Sequence, residues 1–162
     1  MKDLILRQAK SNDRDTIATL YRSSIGREGC AWNRHYPSMG NLDGDLAANN
    51  LYVLERHGAV IGAVSVVHEE EIEDLAPWKY TGETVQGIAR VVIKKECAGQ
   101  GLAKKMLTML FAKLKEEGGT AVRLSVACQN QAAMKTYQRL GFAMLAKAHL
   151  YGGEYYLCEV EL

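Results

Sequence analysis

Six residues, Ala98-Gly99-Gln100-Gly101-Leu102-Ala103, join the β-branched run Val91-Val92-Ile93 to a segment whose apolar residues recur at helical spacing. A glycine-rich strand-to-helix junction gathers backbone N–H groups at one point, where the helix dipole adds partial positive charge. Its chemistry is anion binding, well matched to a pyrophosphate. No Gly-Lys-Ser/Thr follows, so this is not a Walker-type phosphate loop, and Lys104 stands where a dinucleotide fingerprint needs its last glycine. Lys104 and Lys105 fall in the first helical turn, where a cation opposes the macrodipole by about 0.3–1 kcal/mol and an anion in front would remove the conflict. They read equally as a solvated pair or as contacts to a terminal phosphate. A second set lies downstream: Asn130, Ala133, Tyr137, Gly141 and Phe142. By periodicity alone Tyr137 is a packing aromatic on the stripe of Ala133 and Leu140.

The elements that must hold these residues follow from the pattern. Leu4 to Ala9 reads as a strand, and Asp13 or Asp15 starts a helix carrying Ile17, Leu20 and Tyr21. Ser23 to Asn50 is the least determined stretch, with a short helical segment at Leu42 to Ala48. Leu51 to Leu54, a turn at Arg56-His57-Gly58 and Val60 to Val67 give a hairpin. The acidic run Glu69 to Asp74 and the stretch Trp78 to Gly82 read as loops before a strand over Val85 to Ile93. Leu102, Met106, Leu110 and Leu114 then mark a helix of about four turns, stopped by Gly118-Gly119. Ala121 to Val126 returns as a strand, and such a crossover is parallel and right-handed. Asn130 caps a second helix that Gly141 ends, with Phe142 placed for the apolar contact of a Schellman stop. Strands over Phe142 to Ala146 and Tyr155 to Leu162 complete the chain, with Cys158 on the apolar face.

The 162 residues suit one domain, 1–162, with a core that needs no disulfide or structural metal. With 20 Lys and Arg against 19 Asp and Glu, net +1, no global field favours nucleic acid or an anionic membrane. Nothing approaches a membrane span or a leader, so the chain reads as cytoplasmic. Cys30, Cys97, Cys128 and Cys158 are scattered without metal-ligand spacing, and no metal site is expected.

Taken together, the loop and the set Asn130 to Phe142 resemble the GCN5-related N-acetyltransferase superfamily. Its cofactor motif is Gln/Arg-x-x-Gly-x-Gly/Ala, and its second motif, Asn-x-x-Ala-x-x-x-Tyr-x-x-x-Gly-Phe, is matched at each defined position. The first motif departs at Ala98, where the family has Gln or Arg. That removes a side chain but no backbone donor, and Gln100 is placed to substitute in part. The motifs span Val91 to Phe142; beyond them the resemblance is one of element order.

The resemblance implies an α/β fold: a mixed, mostly antiparallel sheet with a central pair of splayed parallel strands and helices on both faces. It implies acetyl-CoA as cosubstrate. Val91 and Ile93 would meet pantetheine through their backbone, the amides of Gly99, Gly101, Leu102 and Ala103 would hold the pyrophosphate, and Asn130 would touch the pantetheine arm. The amine would attack the thioester directly, with a backbone N–H near Val91 to Ile93 at the oxyanion and Tyr137 protonating the departing thiolate. With a thiol near ~8.5 and a phenol near ~10, complete transfer is uphill by roughly 2 kcal/mol, within reach of a hydrogen bond to the developing thiolate.

The acceptor ammonium, near ~10.4 for a lysine-like amine, must lose a proton before attack. Glu69, Glu70, Glu71, Glu73, Asp74, Glu83, His35 and His68 are candidate bases, and spacing singles out none. Trp32, His35, Tyr36 and Trp78 lie in segments that flank the family's acceptor cleft. Small amines, peptide N-termini and protein lysines all stay open as acceptors. Neither nucleic acid nor membrane is expected as a partner, and homodimerisation through the terminal strands is open. Two alternatives remain: a noncatalytic acyl-CoA sensor, and an ordinary nucleotide-binding domain that would prefer ATP or NAD.

Overall fold

The computed structural model describes residues 3–162. Its strands are β1 (Leu4–Gln8), β2 (Leu51–Arg56), β3 (Ala59–Val67), β4 (Val85–Ile93), β5 (Ala121–Ala127), β6 (Ala143–Leu150) and β7 (Gly153–Glu161). Its helices are α1 (Arg14–Ser24), α2 (Met39–Ala47), α3 (Leu102–Glu116) and α4 (Gln131–Arg139). The strands form one seven-stranded sheet in the order β1-β2-β3-β4-β5-β7-β6. Each neighbouring pair is antiparallel except β4 and β5.

Two apolar cores flank the sheet. On one face Leu102, Met106 and Leu110 of α3 and Met134 and Tyr137 of α4 pack against Leu54, Ile88, Leu124 and Val126. On the other, Ile17, Leu20 and Tyr21 of α1 and Leu42 of α2 pack against Val53, Ala63 and Val92. The alternation of a strand covered on both sides explains the division: successive side chains point to opposite faces, and both faces are buried.

The expected mixed sheet with splayed parallel strands is therefore present, and the element ends move only slightly. The short helix begins earlier, at Met39, because Ser38 accepts the Asn41 N–H at 3.0 Å and Asn41 Oδ1 accepts the Ser38 N–H at 2.9 Å, a reciprocal cap. The two final strands run longer, β6 to Leu150 and β7 from Gly153, because they meet in a tight hairpin at Tyr151-Gly152. The Cys158 thiol, expected on an apolar face, is 1% exposed and is pushed by burial to about 11, as befits a packing residue. Among the described residues no helix is long and apolar enough to cross a membrane.

Candidate active site

The site begins with one extra residue in β4. Ala63 of β3 faces Val92 and Ser65 faces Ala89, so Arg90 and Val91 together lie opposite Val64. Such a bulge bends its strand and increases its twist. It also switches the faces beyond it: Ile88 belongs to the α3/α4 core, Val92 to the α1/α2 core, and Val91 and Ile93 pack back on the first.

Arg90 adopts a positive φ of 53°, which a residue with a Cβ holds only when its surroundings impose it. Those surroundings are a buried network. Arg90 Nε and Nη2 each donate to Asp45 at 2.9 Å, Ser65 Oγ donates to Asp45 Oδ2 at 2.6 Å, and Arg90 Nη1 donates to Tyr36 Oη at 3.1 Å. Burial opposes the Arg90 charge, yet the hydrogen bonds and charge of Asp45 and Tyr36 outweigh it and hold the guanidinium above its usual value.

Past the bulge the parallel pair comes apart. β4 and β5 are in register only at Val85–Ala121, Gln86–Val122 and Gly87–Arg123. A cavity of about 750 Å³ opens between the remaining stretches, of the size that holds a small ligand. Val91, Ile93, Ala103, Asn130 and Tyr137 line it. The Ile93 carbonyl accepts from Arg27 Nη1 at 3.1 Å, so one lone pair on this edge is already engaged by the loop after α1.

Ala98 to Ala103 form the expected strand-to-helix junction beyond the cavity. Gly99 and Gly101 take φ of 79° and 69°, the left-handed region that favours glycine, and a Cβ at either would meet nothing within 4 Å. No side chain caps α3 at Gly101. Among the described residues the amides from Gly99 to Lys104 reach no acceptor. An open concavity with unpaired N–H groups at a helix start fits a pyrophosphate. The Ala98 amide contributes nothing there, since it donates to Lys95 O at 3.2 Å. Gln100 Oε1 accepts from Arg56 Nη1 at 3.2 Å, which fixes the side chain by its oxygen and leaves its amide nitrogen as the donor that could stand in for the missing side chain. Leu102 is buried at 2% and offers only its backbone, while the Lys104 side chain is exposed.

The second motif places Tyr137 by helix-stop geometry. Asn130 Oδ1 accepts the Ala133 N–H at 3.1 Å and caps α4 as expected, leaving its amide nitrogen to face a ligand. At the other end Phe142 N donates to Tyr137 O at 3.1 Å and Gly141 N to Gln138 O at 3.0 Å, with Gly141 at φ 88°. These are the paired bonds of a Schellman stop. Its apolar contact is Phe142 against Tyr137, edge to face with centroids 5.5 Å apart. The Tyr-x-x-x-Gly-Phe spacing is therefore a device that fixes the Tyr137 ring. Burial holds its phenol well above the ordinary range, so the hydroxyl keeps its proton.

The opposite side of the cavity is built from distant segments. Trp32 and Tyr36 line it, Trp32 being held edge-on by Tyr21 at 5.5 Å. Gly29 lets this loop approach α4's start: a Cβ there would lie 2.9 Å from Gln129 O. His35 and Trp78 lie outside the lining. His35 accepts from Arg34, and Trp78 lies under the Arg123 guanidinium at 4.3 Å and donates to Ile72 O. Of the acidic run, Glu70, Glu73 and Asp74 are solvated and Ile72 is a buried anchor, but Glu69 and Glu71 line the cavity. Glu69 accepts from Ser125 Oγ at 3.0 Å and from Tyr151 Oη.

Sequence reasoning passed over Asp45, Ser65, Arg90, Ser125 and Tyr151. The available signal was a lone polar residue inside an apolar strand: Ser65 between Val64 and Val66, and Ser125 between Leu124 and Val126.

Residues 17–142 match the family model described as the acetyltransferase (GNAT) family. A mycothiol acetyltransferase of Cellulomonas flavigena is 30% identical over 146 residues, 78% of this chain and 41% of that protein. N-alpha-acetyltransferase 30 of Schizosaccharomyces pombe is 36% identical over 73 residues, 44% of this chain and 49% of that protein. The chain thus spans less than half the length of either curated relative. Among solved structures, a GNAT-family acetyltransferase from Streptococcus agalactiae superposes with a TM-score of 0.86 at 21% identity, covering 98% of this chain and 95% of that one. YncA of Salmonella typhimurium, a structure containing its cofactor acetyl-CoA, gives 0.74 at 19% identity over 98% and 94% of the two chains. On the family match and on the fold that carries it, this chain belongs to the acetyltransferase (GNAT) family.

Proposed function

We propose that residues 1–162 act as a single N-acetyltransferase domain that moves an acetyl group from acetyl-CoA to a primary amine by direct attack in a ternary complex. The observation that carries this is the aperture between β4 and β5, which joins an open amide cradle and the Tyr137 hydroxyl on one face to a carboxylate-bearing cleft on the other. Acetyl-CoA, bound there, supplies an acyl group activated as a thioester.

The chain's own residues do the remainder. Amides of Gly99, Gly101, Leu102 and Ala103 receive the pyrophosphate, assisted by the dipole of α3 and by Lys104 near its start. The edge of Val91 and Ile93 that β5 leaves open aligns the pantetheine arm, with Asn130 beside it, and an N–H of this edge faces the developing oxyanion. Tyr137 presents a protonated hydroxyl where a leaving sulfur needs a proton. The acceptor is a small-molecule or peptide amine, the cleft serves neither nucleic acid nor a membrane, and the terminal strands are the surface a homodimer would use. The reading places the protein in the cytoplasm.

The test combines calorimetry with a screen of amines for thiol release. Acetyl-CoA is expected to bind more tightly than ATP or NAD and to be turned over with at least one amine. Tighter binding of ATP or NAD overturns the donor. Binding of acetyl-CoA without turnover of any amine turns the domain into an acyl-CoA sensor.

A further inference from the structure

Building on the acetyl-transfer reading, we infer that Glu69, held by Ser125 and Tyr151, takes the proton from the acceptor amine. Ser125 lies between Leu124 and Val126, which face the core shared with Tyr137, so Ser125 faces the other side of the sheet. The proton-accepting carboxylate and the proton-donating phenol thus stand on opposite sides of one aperture, and an acyl group threaded through it would meet both.

The carboxylate is oriented rather than merely near. Ser125 Oγ lies 3.0 Å from Glu69 Oε2 and 3.2 Å from Oε1, and Tyr151 Oη donates to Oε2. Both short bonds converge on Oε2, leaving lone pairs on Oε1 for an incoming N–H. Tyr151 is held for this purpose at a cost. Leu150 pairs with Gly153, so Tyr151-Gly152 is a two-residue hairpin turn with φ of 51° and 80°. Such a turn favours Asn, Asp or Gly at its first position, and a tyrosine there is strained. Its ring rests edge-on against Tyr155 at 5.6 Å, and the residue lines the cavity beside Glu69. Glu71, Tyr36 and Tyr155 are the other titratable groups that bear on this cluster, with His68 preceding Glu69 in the same lining.

The step balances as follows. The amine nitrogen forms a C–N bond as the C–S bond breaks. Of the two protons the ammonium loses, one passes through Glu69 to solvent, and the other restores the proton that Tyr137 gives to the sulfur.

Two measurements test this. With spermidine, lysine amide and an alanine-initiated peptide as probe amines, Glu69→Gln is expected to lower kcat/KM by about 10²- to 10⁴-fold while leaving the acetyl-CoA Kd unchanged. The deficit should shrink as pH rises toward the amine's own pKa, ~10.4 for a lysine side chain, because the amine then arrives neutral. A purely structural role would give a deficit that is flat with pH. In the free protein, burial first and then the Glu69 hydrogen bond and charge raise the Tyr151 phenol. Tyrosinate absorbance should therefore show Tyr151 ionising at lower pH in Glu69→Gln, a change reduced in the Glu69→Gln, Tyr151→Phe double variant to the part that the Glu69 charge causes at Tyr155. An unmoved Tyr151 titration overturns the inference whichever amine is used. Full activity of Glu69→Gln beside an active wild type removes the base alone, whereas no transfer by the wild type to any probe removes the transfer reading and the base with it.

Discussion

The two sides of the β4–β5 aperture are built on different principles. On the α3/α4 side the functional parts are backbone: positive-φ glycines, uncapped amides, and a helix stop that holds one ring. On the α1/α2 side they are side chains from remote segments, Asp45 on Arg90, Ser125 and Tyr151 on Glu69. A backbone site depends on local conformation and tolerates many side chains, while a side-chain site depends on tertiary packing. The first is thus suited to an invariant ligand and the second to a variable one.

Each substitution that follows strains one half of that contrast. Gly101→Glu should have the largest effect, abolishing acetyl-CoA binding in calorimetry, because it places a carboxylate in the cradle and a side chain at φ 69°. Binding by a folded variant would remove the loop from the donor site. Next, Asp45→Ala should destabilise the protein by about 3–5 kcal/mol in urea unfolding, since it strands the Arg90 guanidinium, 10% exposed, without its partner. A loss under 1 kcal/mol would mean that the bulge does not depend on the ion pair.

Tyr137→Phe should lower turnover about 10²-fold, near 2.7 kcal/mol of barrier, at unchanged acetyl-CoA affinity. The sign of its pH dependence follows from burial, which favours the neutral phenol. The hydroxyl stays a donor through neutral and mildly alkaline pH, so the deficit should be constant from about pH 7 to about pH 9. A deficit that vanishes within that window would assign the proton to another group. Smallest of the four, Ala98→Gln should tighten acetyl-CoA binding by less than about tenfold, roughly 1 kcal/mol, through one added hydrogen bond. Weaker binding would show that the Lys95-bonded turn at Ala98 excludes the longer side chain.

The same contrast explains what could be read from the residues. The cradle and the helix stop were legible because their signals are local: Gly99, Gly101, Asn130, Gly141 and Phe142 each impose a backbone state within a few positions. The element order followed from periodicity for the same reason. Arg90 was not legible as a bulge residue, since its partner Asp45 lies 45 positions away and both look like solvated charges in the chain. Glu69 stood among several acidic neighbours, and only the approach of Ser125 and Tyr151, 56 and 82 positions on, separates it from them. Trp78, an aromatic in a flanking loop, has the commoner role of a loop anchor, a platform for Arg123 and not a wall of the cleft.

The extra residue opposite Val64 has a consequence for how the aperture can change. A gap made by missing side chains would narrow or widen with each substitution. This one is set by counting, because β4 holds two residues where β3 holds one. Removing either would restore the two-residue repeat with Val92 still opposite Ala63, take out the bend, and bring the β4 edge back alongside β5. The passage through the sheet is therefore written in chain length, held by the Asp45–Arg90 pair and closed by the loss of a single residue.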